Sequence, residues 1–281
     1  MLPNCIVNGV AKSGTTSVYH YLKSHHQVFM SERKELNYYS FGKIPNFQSD
    51  KIVQPVRTAQ EYQSHFRGAE GYLVRGEASP TYFATSGAAK YIKEEIPNVK
   101  LITTLRHPAE RAYSGYLMHL RGNAASPNDS DPFSCEKHWV KLSFYYDRLK
   151  EYYDQFDSSQ IKIILLEELK FNRKQVLLDL FDYLNIDSNY NFASATAAHN
   201  SAAQPRNYTI HNIINNNKFI NKRVRPLIPR KLKELGKRIE KMNHTQPVKM
   251  SDELRYNLNQ LYKDDIRKVE ELIDRNLDIW R

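Results

Sequence analysis

Cysteine is scarce in this sequence. Two in 281 residues, Cys5 inside an apolar run and Cys135 inside a polar one, are too few for a disulfide framework and wrongly spaced for a zinc site. Long hydrophobic runs are missing too. None approaches the roughly 18 apolar residues that cross a bilayer, so no membrane span is expected. The opening MLPNCIVNGVAKSG has neither a basic n-region nor an extended h-region, and a cytoplasmic location is the expectation. With only 10 Gly and 12 Pro, collagen-like and low-complexity chains are excluded. What remains, 41% hydrophobic and 26% charged, suits a chain that buries a core as a single domain over residues 1–281.

Acidic residues are the minority charge, and the net balance is +10. The excess is local: residues 218–241 hold ten Lys or Arg against two Glu, so this segment carries +8 and the rest of the chain only +2. A basic segment beside a nearly neutral body fits a lid that meets one anion better than a surface built for nucleic acid.

Apolar stretches rich in Val, Ile and Leu at 5–10, 72–74, 99–105 and 161–166 read as buried strands. Helical patterns at 15–23, 87–96, 109–120, 138–156 and 174–184 alternate with them. Alternation of this kind implies βαβ crossovers. The expected fold is therefore α/β, three-layered, with a mostly parallel central sheet and helices on both faces. Ligands in such sheets bind beyond the strands' carboxyl ends. Residues 42–67, 122–137 and 193–247 read as lid or substrate insertions, the second containing the turn-rich NAASPNDSDP. Residues 251–277 read as a docking helix, opened by Ser251 with Asp252 and Glu253 in its first turn.

The first strand runs into Gly9-Val10-Ala11-Lys12-Ser13-Gly14-Thr15-Thr16-Ser17. A strand, a tight turn and a helix N-terminus together aim backbone N–H groups at an anion. The glycine spacing equals that of a Walker A loop, yet Thr15 stands where a nucleoside-triphosphate loop needs Lys; the lysine lies inside the loop as Lys12. The strand over 99–105 ends in Arg106, a cation where a triphosphate site often has the acid that holds Mg²⁺. The loop thus reads as a phosphate cradle with no metal ligand.

A second anion site follows in Arg106-His107-Pro108-Ala109-Glu110-Arg111-Ala112-Tyr113-Ser114-Gly115-Tyr116. Pro108 suits a first helical turn, which sets Arg106 at a strand tip beside a helix N-terminus. A sheet-facing Ser114 would add a neutral donor to the guanidinium fork. Arg111 reads as structural, and His107 as lining the turn.

The two motifs, GxxKxGTT after one strand and RxPxxRAxSxY after a later one, together resemble the sulfotransferases that use 3′-phosphoadenosine 5′-phosphosulfate (PAPS). The resemblance covers residues 5–116 and the helix over 251–280. It implies PAPS as sulfuryl donor, adenosine 3′,5′-bisphosphate (PAP) as product and the P-loop-like fold of that family. By the same resemblance Lys12, Ser13, Gly14, Thr15, Thr16 and Ser17 would hold the 5′-phosphosulfate, and Arg106 with Ser114 the 3′-phosphate. Arg206, in HNSAAQPR, is a further candidate on a cofactor-closing loop.

Lys34-Glu35-Leu36-Asn37-Tyr38-Tyr39 is similar to the Lys-Glu-x-x-aromatic-aromatic segment of the heparan sulfate branch, in which Glu is the general base. Glu35 is accordingly the expected base, with Lys12 and Lys34 neutralising charge on the departing oxygen. Asn37, and Tyr82 within Glu77-Ala78-Ser79-Pro80-Thr81-Tyr82-Phe83, are the expected acceptor contacts. Many heparan-modifying members carry Lys where this chain has Ala78 and His where it has Asn37, departures that bear on the acceptor and not on the donor. The acceptor class implied is a saccharide or small natural product, one that a basic lid would suit if it is anionic. A P-loop nucleotide kinase or NTPase and a basic RNA-binding protein are the alternative readings.

Overall fold

The computed structural model describes residues 1–43, 55–122, 124–126, 128–189, 204–205, 244–245 and 249–281. Five strands form its central sheet: β1 Cys5–Gly9, β2 Val28–Met30, β3 Val74–Ala78, β4 Lys100–Leu105 and β5 Ile161–Leu165, in the order β2-β3-β1-β4-β5. Every pairing in it is parallel, with Cys5 opposite both Gly76 and Lys100. All carboxyl ends therefore share one edge, and β1, flanked by β3 and β4, ends at its centre.

Side chains alternate across the pleat. Cys5, Val7, Ile102 and Ile164 face one core together with Val18 and Leu22 of α1 (Thr15–Lys23) and Leu177 and Phe181 of the helix over Arg173–Leu184. Ile6, Leu101, Leu105 and Leu165 face the other, which holds the short α3 (Thr81–Ala84), α4 (Ala88–Glu95), α5 (Pro108–Arg121) and the terminal helix over Asp252–Ile273. This is the expected three-layer α/β arrangement. Among the described residues no helix is long and apolar enough to cross a membrane.

Several elements differ from the sequence-based expectation, each for a tertiary reason. β2 has only three residues, too few for a periodic signal, and exists through its pairing with β3. The strand expected at 72–74 lies at Val74–Ala78, where Arg75, Gly76 and Glu77 hide it from a hydrophobicity reading; Tyr72 and Leu73 are exposed. The single helix expected over 138–156 is two, α6 (His138–Lys141) and α7 (Tyr146–Tyr153). Asp265 of the terminal helix receives the Tyr145 and Tyr146 amides at 2.7 and 3.2 Å and so starts α7 afresh.

The described part of the expected 42–67 insertion, residues 55–67, is anchored in the core. Val56, Tyr62 and Phe66 are wholly buried in the main core, around the short helix α2 (Ala59–Ser64). In the 122–137 stretch, Phe133 packs on Tyr113 and Tyr116 of α5, and Pro132 accepts from the Trp139 indole at 2.7 Å. Apart from a short antiparallel pair, Gln204–Pro205 with His244–Thr245, the expected insertion at 193–247 and its basic 218–241 segment lie outside the described residues.

Candidate active site

At the end of β1 the chain turns sharply. The Val10 amide donates to Thr104 at 2.7 Å and the Ser13 amide to Val10 at 3.1 Å, while Lys12 and Gly14 take left-handed φ values of 74° and 95°. Gly9 is required by closeness: a Cβ there would lie 2.4 Å from that of Phe83. Gly14 begins α1 without a side-chain cap, and the helix has no acidic residue in its first turn. The first amides of α1, those of Thr15, Thr16 and Ser17, are thus left for a ligand, and the positive end of the helix is unneutralised. Within the same turn the Ser13 hydroxyl is buried with no hydrogen-bond partner.

Lys12 carries the clearest electrostatic mark. Burial, then the positive charges of Arg121, Arg106, Arg111 and Lys34, push its ammonium from 10.5 down to about 8. Five cations on three different segments converge on one loop, an arrangement that an anion relieves.

Arg106 stands at the tip of β4 and is largely enclosed, its side chain 19% exposed. Its Nη2 donates to Glu110 at 3.1 Å, its Nε is buried with no partner, and its carbonyl accepts from the Tyr145 hydroxyl at 2.8 Å. Arg255 of the terminal helix binds the other oxygen of Glu110 at 2.5 Å. The adjoining helix starts with Pro108 in its first turn and His107 as cap, the ring accepting the Ala109 amide at 3.2 Å. Ser114 is buried on α5, one turn after Arg111.

Arg111 has a role that sequence spacing does not reveal. It is almost wholly buried and donates to the Ala11 carbonyl at 3.1 Å and to the Trp139 carbonyl at 2.8 Å, which ties the loop after β1 to α6. No carboxylate answers it within its helix; three neutral acceptors, Ser143 included, do so instead. Arg121, at the far end of α5, is likewise absent from the sequence-based set, and the arginines of the RxPxxRAxSxY helix are the signal that leads to it.

After β2, Lys34 and Glu35 form an ion pair at 2.8 Å with Glu35 half exposed. Its amide donates to Ala78 at the end of β3 at 2.9 Å, and its φ is 64°. The structure therefore sets Lys34 and Glu35 beside a strand tip, with Lys34 among the charges that act on Lys12. The two expected acceptor contacts are corrected by burial. Tyr82 has no exposed surface; its hydroxyl donates to Glu77 at 2.7 Å, and no ring face is left for stacking. Asn37 is 2% exposed, and its side-chain carbonyl accepts the Thr81 hydroxyl at 2.7 Å. Both are scaffold. Arg206 lies outside the described residues.

Comparison with known proteins gives a consistent picture. A sequence profile described as "Sulfotransferase domain" matches residues 2–273. The chain is 33% identical over 129 residues to the membrane-associated sulfotransferase kil1 of Dictyostelium discoideum, a match covering 45% of this chain and 26% of that protein. A bifunctional heparan sulfate N-deacetylase/N-sulfotransferase 1 of Caenorhabditis briggsae is 25% identical over 203 residues, covering 66% of this chain and 23% of that protein. The chain thus spans about a quarter of the length of these curated relatives. Among solved structures, a sulfotransferase from Alicyclobacillus acidocaldarius matches with a TM-score of 0.72 over 100% of this chain and 99% of its own, at 22% identity. Mouse sulfotransferase SULT7A1, solved in complex with PAP, matches at 0.50 over 99% and 86%, at 13% identity. At such identities the structural likeness speaks for the fold.

Proposed function

The chain belongs to the sulfotransferase family, and from that premise we propose that it transfers a sulfuryl group from PAPS to a hydroxyl or amine of a saccharide or small natural-product acceptor. The observation that carries this reading is Lys12, lodged among four other cations beside an uncapped helix N-terminus and a partnerless buried serine hydroxyl. That set fits the 5′-phosphosulfate: Lys12, the Ser13 hydroxyl and the amides of residues 14–17 would hold its oxygens. Arg106, with a buried Nε left unpaired, and Ser114 fit the 3′-phosphate.

In the proposed reaction the acceptor oxygen or nitrogen bonds to sulfur as the bond from sulfur to the 5′-phosphate oxygen breaks, in line. Glu35, half exposed at the groove, takes the acceptor's proton. Lys12, with Lys34 near it, balances the negative charge that gathers on the departing phosphate, the main electrostatic task in a loose transfer. A saccharide acceptor is supported by the Lys34-Glu35-x-x-Tyr38-Tyr39 segment and by the heparan sulfate N-deacetylase/N-sulfotransferases among the relatives.

Thermal unfolding with PAP, with ATP and Mg²⁺, and with RNA tests the donor assignment in one experiment. PAP is expected to raise the melting temperature, since a ligand of the native state alone stabilises it. A rise with ATP and Mg²⁺ but none with PAP would return the site to the nucleotide-kinase reading. A salt-sensitive rise with RNA alone would favour the RNA-binding one.

A further inference from the structure

Among the described residues Glu77, at the end of β3, is the one acidic side chain with no exposure. Three hydroxyls donate to it: those of Tyr62 and Tyr82 to Oε1, each at 2.7 Å, and that of Ser79 to Oε2 at 2.5 Å. Two of these oxygens accept in turn. Ser79 Oγ receives the Asn37 amide at 3.1 Å, and the Tyr82 hydroxyl receives the Tyr38 amide at 3.0 Å. A hydroxyl has one proton to give and two lone pairs. Once its proton is committed to a carboxylate, it can only accept from its other neighbour.

The two amides held in this way belong to the turn that follows Glu35. Glu35 and Asn37 have φ values of 64° and 58°, on either side of fully buried Leu36. Residues other than glycine persist in that region only where the surroundings over-determine them. Here the constraints are the Glu35 amide on Ala78, the two amides on the Ser79 and Tyr82 oxygens, and Thr81 on the Asn37 side chain. The relay also reaches the phosphate loop's strand, because the Ser79 amide donates to Val7 at 3.0 Å. Burial pushes the Glu77 carboxyl above its ordinary value and the three hydroxyls pull it back, so the donors are what make a carboxylate tenable there.

We propose that Glu77 is a positioning residue for the proton acceptor. As a buried carboxylate it accepts hydrogen bonds from the Ser79 and Tyr82 hydroxyls, turns their oxygens toward the Asn37 and Tyr38 amides, and so holds Glu35 in its left-handed conformation at the strand tip. The inference rests on the reading of Glu35 as the base.

Glu77→Gln keeps the shape but replaces one acceptor oxygen with an N–H donor, which forces a facing hydroxyl to turn. Residue-resolved hydrogen exchange on the full chain is expected to show the Asn37 or Tyr38 amide exchanging at least about tenfold faster, with β1 and β4 unchanged. PAP affinity should stay within about twofold, while release of PAP from PAPS with water as acceptor falls about tenfold or more. The double variant with Glu35→Gln should be no slower than Glu35→Gln alone, because the two act on one step. Ser79→Ala and Tyr82→Phe cut one arm each and should free Asn37 and Tyr38 respectively; they carry the test if Glu77→Gln fails to fold. Unchanged exchange at both amides in folded Glu77→Gln, or in both single-arm variants, overturns the proposal. Full PAP release by Glu35→Gln would instead remove the base assignment, and the exchange data would still report on Glu77 separately.

Discussion

In the proposed reaction Glu35 and Lys12 do opposite jobs from similar backbones, both left-handed and both at the tips of neighbouring strands. Glu35 is half exposed where an acceptor can approach, and its replacement by Gln removes the proton acceptor without altering shape. Turnover is expected to drop about a hundredfold or more, within the roughly 10²–10⁴ that a general base supplies, with PAP affinity measured by calorimetry unchanged. Lys12 titrates at about 8 in the free protein against an ordinary 10.5. Between those values the unfolded chain holds more protons, so this lysine's contribution makes the free protein more stable as pH rises through that window. Bound phosphates would restore the charged form. PAP binding at about pH 9 is therefore expected to take up a proton, visible as a buffer-dependent calorimetric enthalpy, and to weaken as pH climbs further. Lys12→Met should abolish the uptake.

Among the elements, α7 shows how a helix can depend on a distant segment. Its N-terminal residues, Tyr145 and Tyr146, have no local capping side chain, and Asp265 from the terminal helix satisfies their amides 120 and 119 positions away. Asp265→Ala is expected to cost about 1–2 kcal/mol in urea unfolding, the range for a lost helix cap, with Asp265→Asn recovering part of it. The consequence reaches the site, since the Tyr145 hydroxyl holds the Arg106 carbonyl. A second link closes the same edge: Glu167, following β5, accepts the His107 amide at 3.2 Å and the Trp280 indole at 3.0 Å. The terminal helix and the residues after it thus brace the strand tips that carry the cations.

For the whole molecule, the two proposed anion sites lie at the ends of adjacent strands, β1 with Lys12 and β4 with Arg106, and a bisphosphate that reaches both should stabilise more than either half. At a hundred times its dissociation constant PAP would add about 2.7 kcal/mol, a shift of about 5 °C for a chain of this size. Adenosine 3′-phosphate and adenosine 5′-phosphate, each engaging one site, are expected to give clearly smaller shifts at the same concentration. Equal shifts for all three would mean that the two sites do not act on one ligand.

The layered parallel fold, the tight turn at the end of β1 and the cation at the tip of β4 were legible in the residues, because each is encoded by neighbours in sequence: apolar runs, glycine spacing, a proline after an arginine. Tertiary structure decided what depends on partners distant in the chain. Tyr82 and Asn37 read as acceptor contacts by position, yet Glu77 and Thr81 draw their polar groups inward. Tyr62 reads as part of a lid, yet lies wholly buried on Glu77. Arg111 reads only as structural, and its burial against Ala11 and Trp139 shows what it holds: the loop after β1 against α6. Local order follows from chain geometry and side-chain type. Burial, and with it which polar groups face a ligand and which face each other, is settled only when segments far apart in the sequence compete for the same interior.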